Sequence, residues 1–189
     1  MPAHTSRGTL YHRPATDIRG DAVLPLKVLK HAHPDRYRIH VRKYGDDLAV
    51  VDRPVQPLGC TWGDVVFLSP VHPAPLFAAL RRAGRPMRDV EPWTLDAGRL
   101  DPARTIIRLM RRGTTGHRAD PAGPDDYLPF TTASLRAVDR ITMDAIERLE
   151  NLGPDDPLLP WVDVPHILHR GPIPLWWFAR CIRPAGQEP

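Results

Sequence analysis

Two short stretches of the sequence place a histidine near a hydroxyl-bearing residue at the end of an apolar run. Tyr11 and His12 close the first run, with Arg13 next, and Ser69 and His72 follow a second, continuous apolar run. An imidazole can accept or donate a proton near neutral pH, and a guanidinium suits phosphate groups. Loops that leave buried elements often carry binding residues. The same side chains also have structural interpretations, because Tyr11 fits a core position and Ser69 fits a turn cap.

Other patterns of enzymes and metal sites are weak or missing. The sequence has no glycine-rich dinucleotide motif, no P-loop and no GxSxG motif. Its close histidine pairs are His31 with His33 and His166 with His169. A three-residue offset on a strand sends the second pair to opposite faces. Cys60 has no local group that would activate it as a nucleophile. We therefore expect no metal site.

Composition and charge narrow the class of protein. The chain has 189 residues, a net charge of +4 and 23 prolines, and so many prolines exclude a simple helix bundle. An Arg-rich surface is compatible with nucleotide or nucleic-acid ligands. Residues 1–20 lack an apolar leader, and no apolar run approaches the ~20 residues of a membrane span. We expect a soluble, cytoplasmic, single-domain protein that does not bind a membrane.

Periodicity and turn residues predict an α+β domain over residues 1–189, with loose termini at 1–8 and 184–189. Short apolar runs between prolines and glycines predict strands, and 3–4 spacing predicts helices. The expected strands cover residues 10–12, 48–51, 65–68, 93–96, 105–110, 162–169 and 176–182, and the expected helices cover residues 34–44, 76–83 and 134–151.

The basic segment of residues 25–45 carries Lys and Arg side chains with Tyr37 and Tyr44 among them. Such a mixture can contact phosphates and stack a base. A solvated helix with two half-buried tyrosines is an equally good interpretation of the same residues.

Three pieces of the chain resemble the ADP-ribosyltransferase fold. The first is LYHRP (residues 10–14), similar to that fold's opening LYHGT-like strand. The second, residues 65–100, resembles the strand–loop–helix–strand of the RNA 2′-phosphotransferase branch. The third, HILHRGPIPLWW (residues 166–177), resembles the closing segment of the branch of toxins that modify DNA. The resemblance implies two small antiparallel or mixed sheets that form a cleft, with flanking helices.

The resemblance also implies site residues, with NAD as a substrate. His12 would contact the nicotinamide ribose, and Ser69 and His72 would line the nicotinamide side. Tyr11, Arg13 and Tyr44 would complete the cofactor-binding set. His166 falls where the toxin branch carries a catalytic Glu, and Asp163 is the nearest acid. The catalytic residues that the resemblance implies are therefore His166, Asp163 and His12.

The resulting functional hypothesis is an NAD-dependent group transferase that passes ADP-ribose to a nucleic acid, a small molecule or a protein. Because the family's Glu is missing, three alternatives stay open. These are an RNA 2′-phosphotransferase-like enzyme, an NAD glycohydrolase, and a catalytically inactive module that binds a nucleotide or a partner protein.

Overall fold

The computed structural model describes residues 6–14, 18–45, 47–85, 91–110, 122–156 and 158–179. Its strands are β1 (Thr9–His12), β2 (Ala22–Val23), β3 (Pro54–Val55), β4 (Cys60–Thr61), β5 (Val65–Leu68), β6 (Trp93–Asp96), β7 (Thr105–Arg108), β8 (Tyr127–Pro129), β9 (His166–Arg170), β10 (Ile173–Pro174) and β11 (Phe178–Ala179). Its α-helices are α1 (Leu26–Ala32), α2 (Pro34–Val41), α3 (Ala74–Arg82), α4 (Thr132–Val138) and α5 (Met143–Glu150).

The strands form small antiparallel sheets. The largest has the order β5-β9-β7-β8, and a three-stranded sheet has the order β1-β6-β11. The remaining pairs are β2 with β10 and β3 with β4. Together with the helices, this arrangement confirms the predicted α+β class with small antiparallel sheets.

The main hydrophobic core lies between the two larger sheets. The inner strand faces contribute Leu10 and Leu95 from one sheet and Val66, Ile107 and Ile167 from the other, all of them buried. The opposite face of the four-stranded sheet is covered too. There Val65 and Leu168 pack with Trp62 and Val55. Because both faces are covered, the central strands read as continuous apolar runs.

One predicted helix is in fact two. The 3–4 spacing over residues 134–151 predicted a single helix, but the chain leaves the helical conformation between α4 and α5. Thr142 is extended there, and its side chain accepts a hydrogen bond from the Ala145 amide, which begins α5. Leu135 packs in the main core, whereas Leu149 packs against α3 in a separate cluster. The two helices therefore continue the same 3–4 spacing of apolar residues but pack into two different hydrophobic clusters.

The strand predicted at residues 48–51 is also wrong, because Leu48–Asp52 is a 3₁₀ helix. Leu48 is 52% exposed, so its apolar side chain does not mark a buried strand. The turn is held by Arg53, whose guanidinium lies 2.6 Å from the Asp47 carboxylate.

The other predicted elements fall close to their expected places. The strands at residues 10–12, 65–68 and 93–96 are confirmed, and the helix of residues 76–83 is confirmed as α3. The helix predicted at residues 34–44 ends at Val41 and continues as a 3₁₀ turn to Tyr44. The strand predicted at residues 162–169 begins only at His166.

Some predictions concern the chain ends. Residues 180–182 of the last predicted strand, and the termini at 1–5 and 184–189, lie outside the described residues. Ser6 is buried and donates a hydrogen bond to the Phe130 carbonyl, so residues 6–8 belong to the fold. None of the described helices is long and apolar enough to cross a membrane.

Candidate functional site

The two larger sheets meet at a single bridge between Tyr11 and Ser69. The Tyr11 amide donates to the Ser69 carbonyl, the Ser69 amide donates to the Tyr11 carbonyl, and both distances are 2.8 Å. The bridge sets the end of β1 against the end of β5. Since β5 also pairs with β9, which begins at His166, the three segments that carry the resemblance are adjacent.

Alternation along β1 separates its side chains. Leu10 and His12 point toward the main core, while Thr9 and Tyr11 point to the other face. The His12 ring stacks on Trp93 at 6.1 Å between ring centroids and approaches Phe178 at 5.8 Å. The predicted cofactor-binding residues Tyr11 and His12 therefore face different surroundings.

His12 has an imidazole that is neutral at pH 7. Burial lowers its pKa from 6.5 to about 4. Its Nδ1 atom is buried and has no hydrogen-bond partner among the described residues. A buried nitrogen of this kind costs free energy unless a ligand satisfies it.

His166 begins β9 and is also neutral. Its Nδ1 lies 2.7 Å from the Val164 carbonyl oxygen, and since a carbonyl only accepts, Nδ1 carries the proton and Nε2 is left as the acceptor. Burial lowers the pKa of His166 to about 4, and the positive charges of Arg108 and Lys43 act in the same direction.

Lys43 acts electrostatically on both histidines. Its positive charge contributes to the lowered pKa of both His12 and His166, after the larger effect of burial. The Nζ atom lies 5.0 Å from the Tyr44 ring centroid and 5.9 Å from the Phe67 ring centroid. We call His12, His166, Lys43, Tyr44 and Phe67 the two-histidine site.

An aromatic wall supports this site. Trp62 donates its indole N–H to the Tyr44 hydroxyl at 3.2 Å, and the Trp62 and Phe67 ring centroids are 4.5 Å apart. The Arg108 guanidinium carbon lies 4.7 Å from the Trp62 ring centroid, on the side of the sheet that His166 faces. The site, together with the neighbouring Arg108, therefore combines neutral imidazoles, aromatic faces and two cations.

Asp163 is held away from this chemistry. Its carboxylate forms an ion pair with Arg148, whose guanidinium also donates to the Leu159 carbonyl at 2.9 Å. The Arg148 side chain is only 6% exposed and that of Asp163 is 18% exposed. This carboxylate already has a partner and fastens α5 to the chain before β9.

Ser69 and His72 use their polar atoms locally. The Ser69 hydroxyl donates to the Val71 carbonyl at 2.8 Å and accepts from the Val71 amide at 3.0 Å. His72 Nδ1 accepts from the Ala74 amide at 3.1 Å, at the start of α3. These bonds shape the turn between β5 and α3.

A hollow lies on the outer side of β1. The volume of the hollow is about 460 Å³, and Tyr11 and His72 line it. Their rings pack edge to face, with the ring centroids 4.9 Å apart. Arg7 and Arg136 also line the hollow. Arg13 is exposed and borders a crevice of about 20 Å³ beside Tyr11 and His12. Of the predicted site residues, Tyr11 and His72 thus line the outer hollow, while Ser69, Asp163 and Arg13 belong neither to it nor to the two-histidine site.

The other histidine pair behaves as the strand offset predicted. His169 lies on the face opposite His166, where its Nδ1 is 2.9 Å from the Thr105 hydroxyl. Within the described ranges, no group of three or more His, Cys, Asp or Glu side chains is arranged to hold a metal ion.

Sequence reasoning missed Lys43 and Arg108, the two cations that act on His166. The one local signal was that all three lysines of the chain, Lys27, Lys30 and Lys43, lie in a single segment. No family model, no curated protein and no solved structure matches this chain.

Proposed function

We propose that this protein is an NAD-dependent transferase with an ADP-ribosyltransferase-like fold, in which the two-histidine site holds the nucleotide. The observation that carries the proposal is the adjacency of the three resembling segments, which the Tyr11–Ser69 bridge and the β5–β9 pairing bring together. His12 comes from the first of these segments and His166 from the third.

The charges of the site suit a dinucleotide. Lys43 and Arg108 supply positive charge for a diphosphate, and Tyr44 and Phe67 supply aromatic faces for a planar ring. The unpartnered Nδ1 of His12 can meet a ribose hydroxyl. A bound diphosphate would also raise the pKa of both histidines, because a nearby anion favours the imidazolium.

In the transfer step, His166 accepts the proton. The bond between the nicotinamide nitrogen and ribose C1′ breaks, and nicotinamide leaves with the electron pair. The acceptor atom bonds to C1′, and its proton passes to Nε2 of His166, the ring nitrogen left unprotonated by the bond to Val164. The acceptor is a nucleic acid, a small molecule or a protein.

A second candidate is transfer of an RNA 2′-phosphate to NAD. It is favoured by the positive charges of Lys43 and Arg108 acting on His166. Two cations oppose the positive charge that develops at C1′ during ADP-ribosyl transfer, whereas they stabilise a phosphate. This candidate uses the same site and the same NAD.

The test is mass spectrometry of NAD incubated with the protein and, in separate reactions, single-stranded DNA, RNA with an internal 2′-phosphate, or a protein mixture. Nicotinamide release that requires an acceptor supports ADP-ribosyl transfer. Loss of the 2′-phosphate from RNA supports the second candidate. Release without any acceptor indicates a glycohydrolase, and unchanged NAD in every reaction overturns both candidates. Lys43→Ala should lose the reaction and Lys27→Ala should keep it, because Lys27 pairs with Asp52 at 2.7 Å.

A further inference from the structure

The net positive charge of the chain is concentrated in residues 25–45. This segment contains six Lys and Arg residues and one acid, Asp35, giving a formal charge of +5 against +4 for the entire chain. The remainder of the sequence therefore carries a formal charge of −1. Three histidines of the same segment, His31, His33 and His40, add to this charge when protonated.

The segment folds into the helix pair α1 and α2, which presents most of this charge to solvent. No side chain of α2 is fully buried, and Ile39 is 51% exposed. Lys27 is neutralised by Asp52, and Arg36 lies 3.6 Å from Asp35. A helix this polar on all sides lacks the apolar stripe that would explain it as a packing element.

Four cations of residues 25–45 are exposed and have no ion pair within the described part of the chain. They are Lys30, Arg38, Arg42 and Lys43. Lys30 lies 5.8 Å from the Tyr37 ring centroid, so a half-buried aromatic ring lies beside one of these cations. We call these four residues and Tyr37 the α1–α2 surface.

We propose that the α1–α2 surface binds a single-stranded polynucleotide. Its charge is complementary to a row of phosphates, and the Tyr37 ring offers a stacking face of the kind that sequence-tolerant single-strand binding uses. A flexible single strand can follow the bend between the two helices and keep its bases unpaired for stacking.

The surface is continuous with the two-histidine site. The 3₁₀ turn Arg42–Tyr44 follows α2 directly, and its Lys43 is the residue whose charge acts on His12 and His166. Only the role of the bound strand as the acceptor rests on the proposed function. Strand binding itself does not need NAD.

The experiment is fluorescence anisotropy with a labelled 20-nucleotide single strand of mixed sequence, over a range of salt concentrations. The double variant Arg38→Ala/Arg42→Ala should bind about tenfold more weakly or worse at low salt, with a salt slope shallower by about 1.4, since each phosphate contact on a single strand contributes about 0.7. Arg136→Ala/Arg140→Ala is the matched control, because it removes the same charge at exposed positions of α4 and the residues after it. It should bind like the wild type. Tyr37→Ala should weaken binding without changing the salt slope.

Several outcomes would overturn the proposal. One is an equal loss of strand affinity in the two double variants. Another is tighter binding of the matching duplex than of the single strand. A third is displacement of the labelled strand by polyglutamate of the same charge as readily as by unlabelled strand. His12→Ala separates this inference from the proposed function. If it abolishes NAD binding and leaves strand binding intact, the two sites are independent. If the wild type binds the strand but not NAD, strand binding by the α1–α2 surface is supported and the proposed function is wrong.

Discussion

Tyr11 and Ser69 exchange two backbone hydrogen bonds of 2.8 Å, and through this bridge the last residues of β1 lie against the end of β5. The Ser69 hydroxyl holds the following turn through the amide and the carbonyl of Val71. Ser69 thus has a structural role at the junction of the two sheets, in addition to the ligand-binding role that the sequence predicted for it.

Ser69→Ala should lower the free energy of unfolding by about 1–3 kcal/mol, because it leaves the buried backbone groups of Val71 without partners. The affinity of the folded variant for NAD should change little. Urea unfolding and calorimetry measure the two effects. Ser134→Ala, at a half-buried position where the hydroxyl contacts only the Thr131 hydroxyl, is the control and should cost less. Unchanged stability together with lost NAD affinity would show that Ser69 is a ligand-binding residue instead.

Asp163→Asn should destabilise the fold by about 3 kcal/mol or more, because it leaves the nearly buried Arg148 guanidinium without its counter-charge. The comparison is Asp35→Asn. Asp35 lies 3.2 Å from Arg19, and both side chains are half exposed, so this change should lower the free energy of unfolding by less than about 1 kcal/mol. Chemical denaturation gives both values. If Asp163→Asn leaves stability unchanged but stops NAD turnover, Asp163 is catalytic after all.

Thr142→Ala distinguishes two helices from one. As the first residue before α5, Thr142 accepts from the Ala145 amide, and removing such a cap costs about 1 kcal/mol. In one continuous helix the same change would be stabilising, because alanine has the higher helix propensity. Thermal or urea unfolding therefore gives opposite signs for the two arrangements. A stabilised variant would contradict the break between α4 and α5.

Stability should fall as the pH falls from 6.5 toward 4. The pKa values of His12, His166 and His169 are lowered to about 4 by burial, so between these pH values the unfolded chain binds protons that the folded chain does not. For the buried His169 alone the loss is about 2 kcal/mol by pH 5. Urea unfolding at pH 7.5, 6 and 5 measures it. His169→Gln should make the free energy of unfolding depend less on pH. A free energy of unfolding that stays constant over this pH range would contradict the prediction.

The sequence predicted those elements whose signals are local. The apolar runs that became β1, β5 and β6, and the stripe that became α3, are each bounded by residues that end strands or helices. The break between α4 and α5 was not predictable from spacing, because residues before and after it keep one periodicity while packing in different cores.

The site was predictable only in part, for a similar reason. His12 could be singled out by its place at a strand end, and His166 because it falls where the toxin branch carries its catalytic Glu. Arg108 reaches His166 only through the pairing of β7 with β9, which are distant in sequence, and the electrostatic effect of Lys43 on His12 and His166 likewise depends on the fold. Asp163 was singled out because it is close to His166 in sequence, whereas its side chain pairs with Arg148.

The most direct test of the account is isothermal titration calorimetry of NAD and of ADP-ribose into the wild type, His12→Gln, Lys43→Ala and Lys27→Ala. Unfolding curves of each variant confirm that it is folded. The account predicts saturable binding by the wild type and Lys27→Ala, and at least about tenfold weaker binding by the other two, as expected for lost hydrogen bonds to a charged ligand. No binding of either ligand by the wild type, or equal binding by all four proteins, would contradict it.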